Sequence, residues 1–163
     1  MIRTERLNLL PFTLKQVQAV LNGRNELEEM IGSHVPEEWP SPAYAKKLEA
    51  KIEKLTQTPE ASQWSRIVVD WEARQLVGEI GCKGGPDANG VVEIGYGIAE
   101  SFRNKGYATE MVKGLVEWLK QKEAVTKIIA NCLETNQPSI KVLEKSGFKQ
   151  THVADGLIHW EIG

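Results

Sequence analysis

Residues 91–119, VVEIGYGIAESFRNKGYATEMVKGLVEWL, decide how the rest of the chain is read. They open as an apolar strand over 91–99, interrupted by Gly95 and Gly97. A short loop follows, Arg103-Asn104-Lys105-Gly106-Tyr107-Ala108, with Thr109 just behind it. Residues 105–121 then carry the stripe Ala108, Met111, Val112, Leu115 and Leu119 of an amphipathic helix. The first N–H groups of a helix lack intrahelical partners, and the helix dipole favours an anion beside them. Gly106 lets backbone approach that anion without a Cβ in the way. Arg103 and Lys105 add positive charge at the same place. The segment therefore reads as a seat for a phosphorylated ligand.

Working outward, residues 2–10 read as a first strand. Thr13 caps a helix over 14–22, and a second short helix covers 26–31. Pro36, Pro40 and Pro42 forbid a regular helix through 35–42, and Ser41-Pro42 starts one that runs to about residue 56. Residues 64–71 and 75–83 form a hairpin, and 84–90 is a Gly-rich turn before the central strand. Residues 126–133 read as a buried strand and 136–145 as a short helix ending at Gly147. A hairpin over 148–153 and 157–162 closes the chain. The central strand-helix-strand predicts a parallel crossover, and the consecutive strands before it predict antiparallel pairing. The fold class is α+β: a mixed, mostly antiparallel sheet of about seven strands with helices on both faces.

Bulk composition narrows the function classes. The 163 residues suit one domain spanning 1–163, with 41% hydrophobic and 26% charged residues. A net charge of −2 gives no global basic field for nucleic acid. No apolar run approaches a membrane span, and the first ten residues lack a signal-peptide core, so a cytoplasmic location is expected. Cys82 and Cys132 sit singly in apolar strand runs and read as reduced core residues. The three histidines share no zinc-like spacing, so no metal is expected. No GxxxxGK[S/T] loop occurs, which argues against a nucleoside triphosphate enzyme.

The loop and the element order resemble the GCN5-related N-acetyltransferase (GNAT) superfamily. Arg103, Gly106 and Ala108 match its Gln/Arg-x-x-Gly-x-Gly/Ala pyrophosphate loop. Asn136, opening a short helix that ends in Gly147-Phe148, matches its second signature. The phrases Thr4-Glu5-Arg6-Leu7-Asn8-Leu9, Val77-Gly78-Glu79-Ile80-Gly81 and Glu93-Ile94-Gly95-Tyr96 are similar to the branch that modifies ribosomal-protein N-termini. The resemblance implies acetyl-coenzyme A as acetyl donor and a primary amine as acceptor: a ribosomal or other protein N-terminus, or a small amine. The alternative it leaves open is a binding or sensing module of the same fold without turnover.

The resemblance also distributes roles. It implies that Ile94, Gly95, Tyr96, Gly97 and Ile98 hold the pantetheine arm at a strand bulge, and that a backbone N–H there meets the thioester oxygen. It implies that Arg103, Asn104, Lys105, Gly106, Tyr107, Ala108 and Thr109 hold the pyrophosphate. Asn136 suits a pantetheine amide or a helix cap, and Lys141 and Lys145, one turn apart, suit the ribose phosphate or a solvated face. Glu93 is the candidate base, with Glu79 on the neighbouring strand as a substrate-side carboxylate acting through water. Members of the family often carry a Tyr seven residues after the Asn, where this chain has Leu143. That departure moves the acid role to Ser139. Trp39, with Glu37 and Glu38, is the candidate apolar wall and anionic lining for a cationic acceptor. The closing hairpin offers an edge for a homodimer, and a monomer is equally compatible.

Overall fold

A computed structural model describes residues 1–163. The strands are β1 (Ile2–Arg3), β2 (Leu7–Pro11), β3 (Ser65–Asp70), β4 (Gln75–Cys82), β5 (Val91–Ile98), β6 (Lys127–Leu133), β7 (Lys149–Ala154) and β8 (Leu157–Ile162). They form an eight-stranded sheet in the order β1-β2-β3-β4-β5-β6-β8-β7. Every neighbouring pair is antiparallel except β5 and β6, which run parallel. The strand count exceeds the expected seven because the expected single strand over 2–10 folds back on itself. Ile2 pairs with Leu9 and Arg3 with Asn8. The break falls at residues 4–6, where Thr4 and Arg6 turn their side chains to Glu110 rather than continue the pleat.

The helices are α1 (Leu14–Asn22), α2 (Arg24–Ile31), α3 (Pro42–Ala45), α4 (Leu48–Gln57), α5 (Tyr107–Lys120) and α6 (Gln137–Lys145). Thr13 and Gln16 form a reciprocal capping box at the start of α1. Ser41 Oγ accepts the Tyr44 N–H at 3.2 Å, so the expected cap is present. The expected single helix to residue 56 nevertheless divides: the Lys47 N–H donates to Tyr44 O at 2.9 Å, a tightened turn that ends α3 before α4 begins. Helix α5 starts at Tyr107, two residues later than the stripe suggested. Gly106 takes a left-handed φ of 81° and ends the loop there.

Strand periodicity builds two cores. On β3, Val68 points to a cluster that includes Met111, Leu115, Leu119, Leu143 and Trp160 from α5, α6 and β8. Its neighbours Ile67 and Val69 point the other way, to a cluster with Val17, Leu27, Trp39, Leu48 and Leu55 from the first third of the chain. Leu143 is fully buried at 0% exposure, which explains an apolar residue at that position. Cys82 and Cys132 are free and buried, and burial pushes the Cys82 thiol up to about 12. No helix is long and apolar enough to cross a membrane.

One irregularity positions everything that follows. β5 stays paired with β4 from Ile94 to Ile98, with Ile94 opposite Cys82 and Ile98 opposite Gly78. Its parallel pairing with β6 lasts only three residues, Val91↔Lys127, Val92↔Ile128 and Glu93↔Ile129. Beyond Glu93 the two strands part, and the sheet opens in its middle.

Candidate active site

The opening exposes backbone. The Lys83 N–H donates to Glu93 O and the Ala99 N–H to Val77 O, both at 2.8 Å. Antiparallel alternation therefore turns the peptide groups of Ile94, Tyr96 and Ile98 toward the opposite edge; the Glu93↔Ile129 bridge still engages the Ile94 N–H, and beyond it the N–H groups of Tyr96 and Ile98 face the space β6 has left. A row of unpaired peptide groups inside a sheet is a ready partner for an extended amide-bearing ligand.

At the mouth of the same opening stands the loop before α5. Asn104 (φ 64°) and Gly106 (φ 81°) both adopt left-handed backbone. Glu110 is the first residue of the helix whose N–H finds a backbone acceptor, Gly106 O at 3.1 Å, so the preceding N–H groups through Thr109 face outward without one. Asn104, Lys105 and Gly106 are exposed, as is Arg103. This nest of donors, with two cations beside it, fits a pyrophosphate. Tyr107 plays a different part: its ring is buried and its hydroxyl donates to Asp70 Oδ2 at 2.7 Å, anchoring the helix start to β3.

A brace that the sequence reading missed fixes this loop. Glu110 receives the Thr4 hydroxyl, the Arg6 N–H at 2.8 Å and Arg6 Nε at 2.7 Å. Arg6 Nη1 reaches Lys105 O at 3.0 Å, and its guanidinium stacks 4.4 Å from the Tyr107 ring centroid. Burial alone would push Glu110 up, yet the hydrogen bonds from Thr4 and Arg6 carry it below its ordinary value. The phrase Thr4-Glu5-Arg6-Leu7 was the available signal, and its job is to hold the loop's rear.

Hydroxyls meet across the opening. Tyr96 from β5 and Ser139 from α6 lie 3.1 Å apart, oxygen to oxygen. Burial raises the Tyr96 phenol, and the Ser139 hydrogen bond partly offsets that. Asn136 Oδ1 accepts the Ser139 N–H at 3.2 Å, so Asn136 is the N-cap that places Ser139. That cap uses the oxygen of the Asn136 amide, and its NH₂ remains exposed. Lys141 and Lys145 are exposed on α6.

The carboxylates occupy the opposite face of the sheet. Glu79 on β4 lies beside Gly97 on β5, and a Cβ on Gly97 would run into its Oε2. Its Oε1 accepts the Trp39 indole N–H at 2.9 Å. Trp39 is 3% exposed, so it is not the open apolar wall expected from the sequence. It packs with Phe12 and Tyr44, and its indole positions a carboxylate. Burial raises Glu79 above its ordinary value, against the Trp39 hydrogen bond and the charges of Lys47 and Lys51. Glu93 is engaged elsewhere: its Oε2 binds Lys83 Nζ at 2.6 Å and Asn131 Nδ2 at 3.2 Å. Glu37 and Glu38 do not line this recess. Glu37 is 3.8 Å from Arg24, and Glu38 bonds Ser101.

The loop, the Asn136 cap and the parted strands are thus gathered around one opening. The GNAT acetyltransferase domain model matches residues 6–149. The Bacillus subtilis protein named Uncharacterized N-acetyltransferase YjdG is 31% identical over 98% of this chain and 96% of its own length. The chain belongs to the GNAT acetyltransferase family. Solved GNAT structures share its fold at low identity. The Vibrio fischeri ribosomal-protein-S5-alanine acetyltransferase superposes with a TM-score of 0.68 at 18% identity, over 98% of this chain and 94% of that one. The ribosomal α-N-protein acetyltransferase RimL, in complex with coenzyme A, gives 0.65 at 16% identity over the same shares. As a GNAT member this protein is an acetyltransferase.

Proposed function

We propose that the protein is an acetyl-coenzyme A-dependent N-acetyltransferase that modifies a primary amine by direct transfer. One observation carries this reading: the sheet opens at Glu93, so a donor held by α5 and α6 on one face can meet an amine brought past carboxylates on the other. When bound, acetyl-coenzyme A supplies an activated thioester carbonyl. The coenzyme A seen in the RimL complex supports that choice of donor. The residues present fit the group. The loop from Arg103 to Thr109 takes the pyrophosphate. Ile94, Gly95, Tyr96, Gly97 and Ile98 take the pantetheine amides along the unpaired edge, and Asn136 adds its free NH₂. Lys141 and Lys145 flank the ribose phosphate. A backbone N–H among 94–98 is the donor for negative charge on the carbonyl oxygen.

The amine must lose its proton before it attacks. A free α-amino group titrates near ~8 and a lysine near ~10.4, so a base is needed most for lysine-like acceptors. Glu79 takes that proton. Its burial raises its proton affinity toward that of the acceptor, and the Trp39 N–H holds one oxygen while leaving the other toward Gly97. Glu93, the base expected from the sequence, has an ammonium already in place and closes the far end of the recess with Lys83 and Asn131. Tyr96 and Ser139 together donate to the departing sulfur, filling the place that Leu143 leaves empty of a hydroxyl.

The test is a coenzyme A release assay with a panel of primary amines, confirmed by the mass of the product. Acetyl transfer that Glu79→Gln abolishes and Glu93→Gln reduces far less supports this assignment. Equal losses would return the base role to Glu93, and no transfer to any amine would end the N-acetyltransferase reading.

A further inference from the structure

The floor beyond Glu79 is glycine, overlaid by neighbours: a Cβ on Gly81 would meet the Trp64 carbonyl oxygen at 2.8 Å, and one on Gly95 the Lys83 Cε at 3.3 Å. Gly81 pairs with Gly95 across β4 and β5, one pleat along from the Glu79↔Gly97 pair. Lys83 and Glu93 close the next pleat. Same-face residues on a strand are about 7 Å apart, so the backbones of the Glu79 and Lys83–Glu93 rows stand roughly 14 Å apart, and the Lys83 stem reaches over Gly95 between them. One side of this recess is the opening toward β6. The other is built from α4. Ser65 pairs with Gly81, and Lys51 Nζ donates to Ser65 Oγ at 2.7 Å. Lys47 lies one turn before Lys51, and Lys54 Nζ comes to 3.8 Å from where a Cβ on Gly84 would sit.

The charge around this recess is unbalanced. Lys47, Lys51 and Lys54 take part in no ion pair, because the salt bridges of the chain lie elsewhere. With Lys83 they make four cations facing two carboxylates, Glu79 and Glu93. Lys51 is half-buried; its one hydrogen bond is to a neutral hydroxyl, and its ammonium lies 5.7 Å from the Tyr44 ring centroid. Its burial, with Lys47 and Lys54 nearby, lowers its proton affinity, and the charge of Glu79 only partly offsets this. A partly desolvated ammonium among like charges is costly unless an anion joins it. A polycationic acceptor would add repulsion here, whereas an acceptor bearing a carboxylate would relieve it.

We propose that the acceptor is a primary amine with a carboxylate close beside it, received at Lys51 within the field of Lys47 and Lys54 while its amine turns to Glu79 and the Gly95 opening. The proposal rests on the N-acetyltransferase reading above. Two sources share this chemistry: a free amino acid, and a peptide N-terminus followed by an acidic residue.

The experiment compares kcat/KM for matched acceptors with acetyl-coenzyme A: alanine against alaninamide, the dipeptide amide Ala-Asp-NH₂ against Ala-Asn-NH₂, and spermidine. The expected result is about tenfold preference for the acid-bearing member of at least one pair, carried in KM, and that pair names the source. Lys51→Gln brings the ratio close to one, and Lys51→Arg keeps most of it. Thermal unfolding of both variants separates lost recognition from lost folding. A wild-type ratio near one in both pairs, a preference for spermidine, or an unchanged ratio in Lys51→Gln overturns the proposal while leaving amine acetylation standing. Transfer to none of these amines overturns both.

Discussion

The donor side and the acceptor side of the opening are built from different materials. In the proposed site the protein presents backbone toward coenzyme A: the unpaired edge Tyr96–Ile98, the N–H groups ahead of α5, and a capped α6. Toward the proposed acceptor it presents side chains borrowed from distant segments: Trp39 from a loop, Lys51 from α4, Ser65 from β3 and Glu79 from β4. Backbone recognition needs only glycine and a helix start at fixed spacing, so it tolerates change in most residues. Side-chain recognition changes with each substitution. A fold assembled this way keeps one donor while its acceptor is free to vary.

Substitutions on the two sides should therefore fail in different ways. The largest effect is expected on the acceptor side. Glu79→Gln lowers kcat/KM by about a hundredfold or more with KM for acetyl-coenzyme A nearly unchanged, as initial-rate kinetics will show. The folded value of Glu79 is raised, so its contribution to stability is greatest below its unfolded value and is lost as pH rises through the folded one. Glu79→Gln thus leaves the melting temperature at pH 7 equal or higher, and a marked drop would mean that the carboxylate is structural.

Gly97→Ala comes next, at roughly tenfold or more in kcat. The added Cβ displaces the Glu79 carboxylate, a flexible group, so circular dichroism melts should move little. Ser139→Ala or Tyr96→Phe should each cost about tenfold in kcat, and the double variant less than the product of the two, because the hydroxyls share one hydrogen bond.

On the donor side, Arg6→Ala should raise KM for acetyl-coenzyme A several-fold and leave kcat close to wild type. Its melting temperature should fall by about 2–4 °C. Glu110 is held below its ordinary 4.5, so the stabilisation from this brace is present above that pH and is lost as pH falls through the depressed value. Melts of wild type and Arg6→Ala should converge in acid. The smallest effect is a shift rather than a loss. Trp39→Phe removes a donor to the Glu79 carboxylate, so the acid limb of the pH–rate profile moves to higher pH.

The same division explains what the sequence could announce. The loop around Gly106, the Asn136 cap and the glycine-broken strand are local patterns, so the elements that frame the proposed donor side were legible in the sequence. The alternation on β3 and the stripe on α5 announced two cores. The break at residues 4–6 was not legible, because it depends on Glu110, more than a hundred positions away. Trp39 read as an apolar wall because nothing nearby in the chain reveals that its indole meets Glu79, forty residues on. Glu93 and Glu79 have similar local sequences. Only the long-range partners Lys83, Asn131 and Trp39 distinguish them.

The central claim is that coenzyme A lies in the opening between β5 and β6, held by backbone. Titration of the isotopically labelled protein with coenzyme A, followed by amide proton–nitrogen spectra, tests it most directly. The account predicts the largest shifts at the amides of Tyr96 and Ile98 and from Asn104 to Thr109, with little change around Arg24, His34 and Glu37. Shifts centred on Arg24, His34 and Glu37, with the β5 amides unmoved, would contradict it.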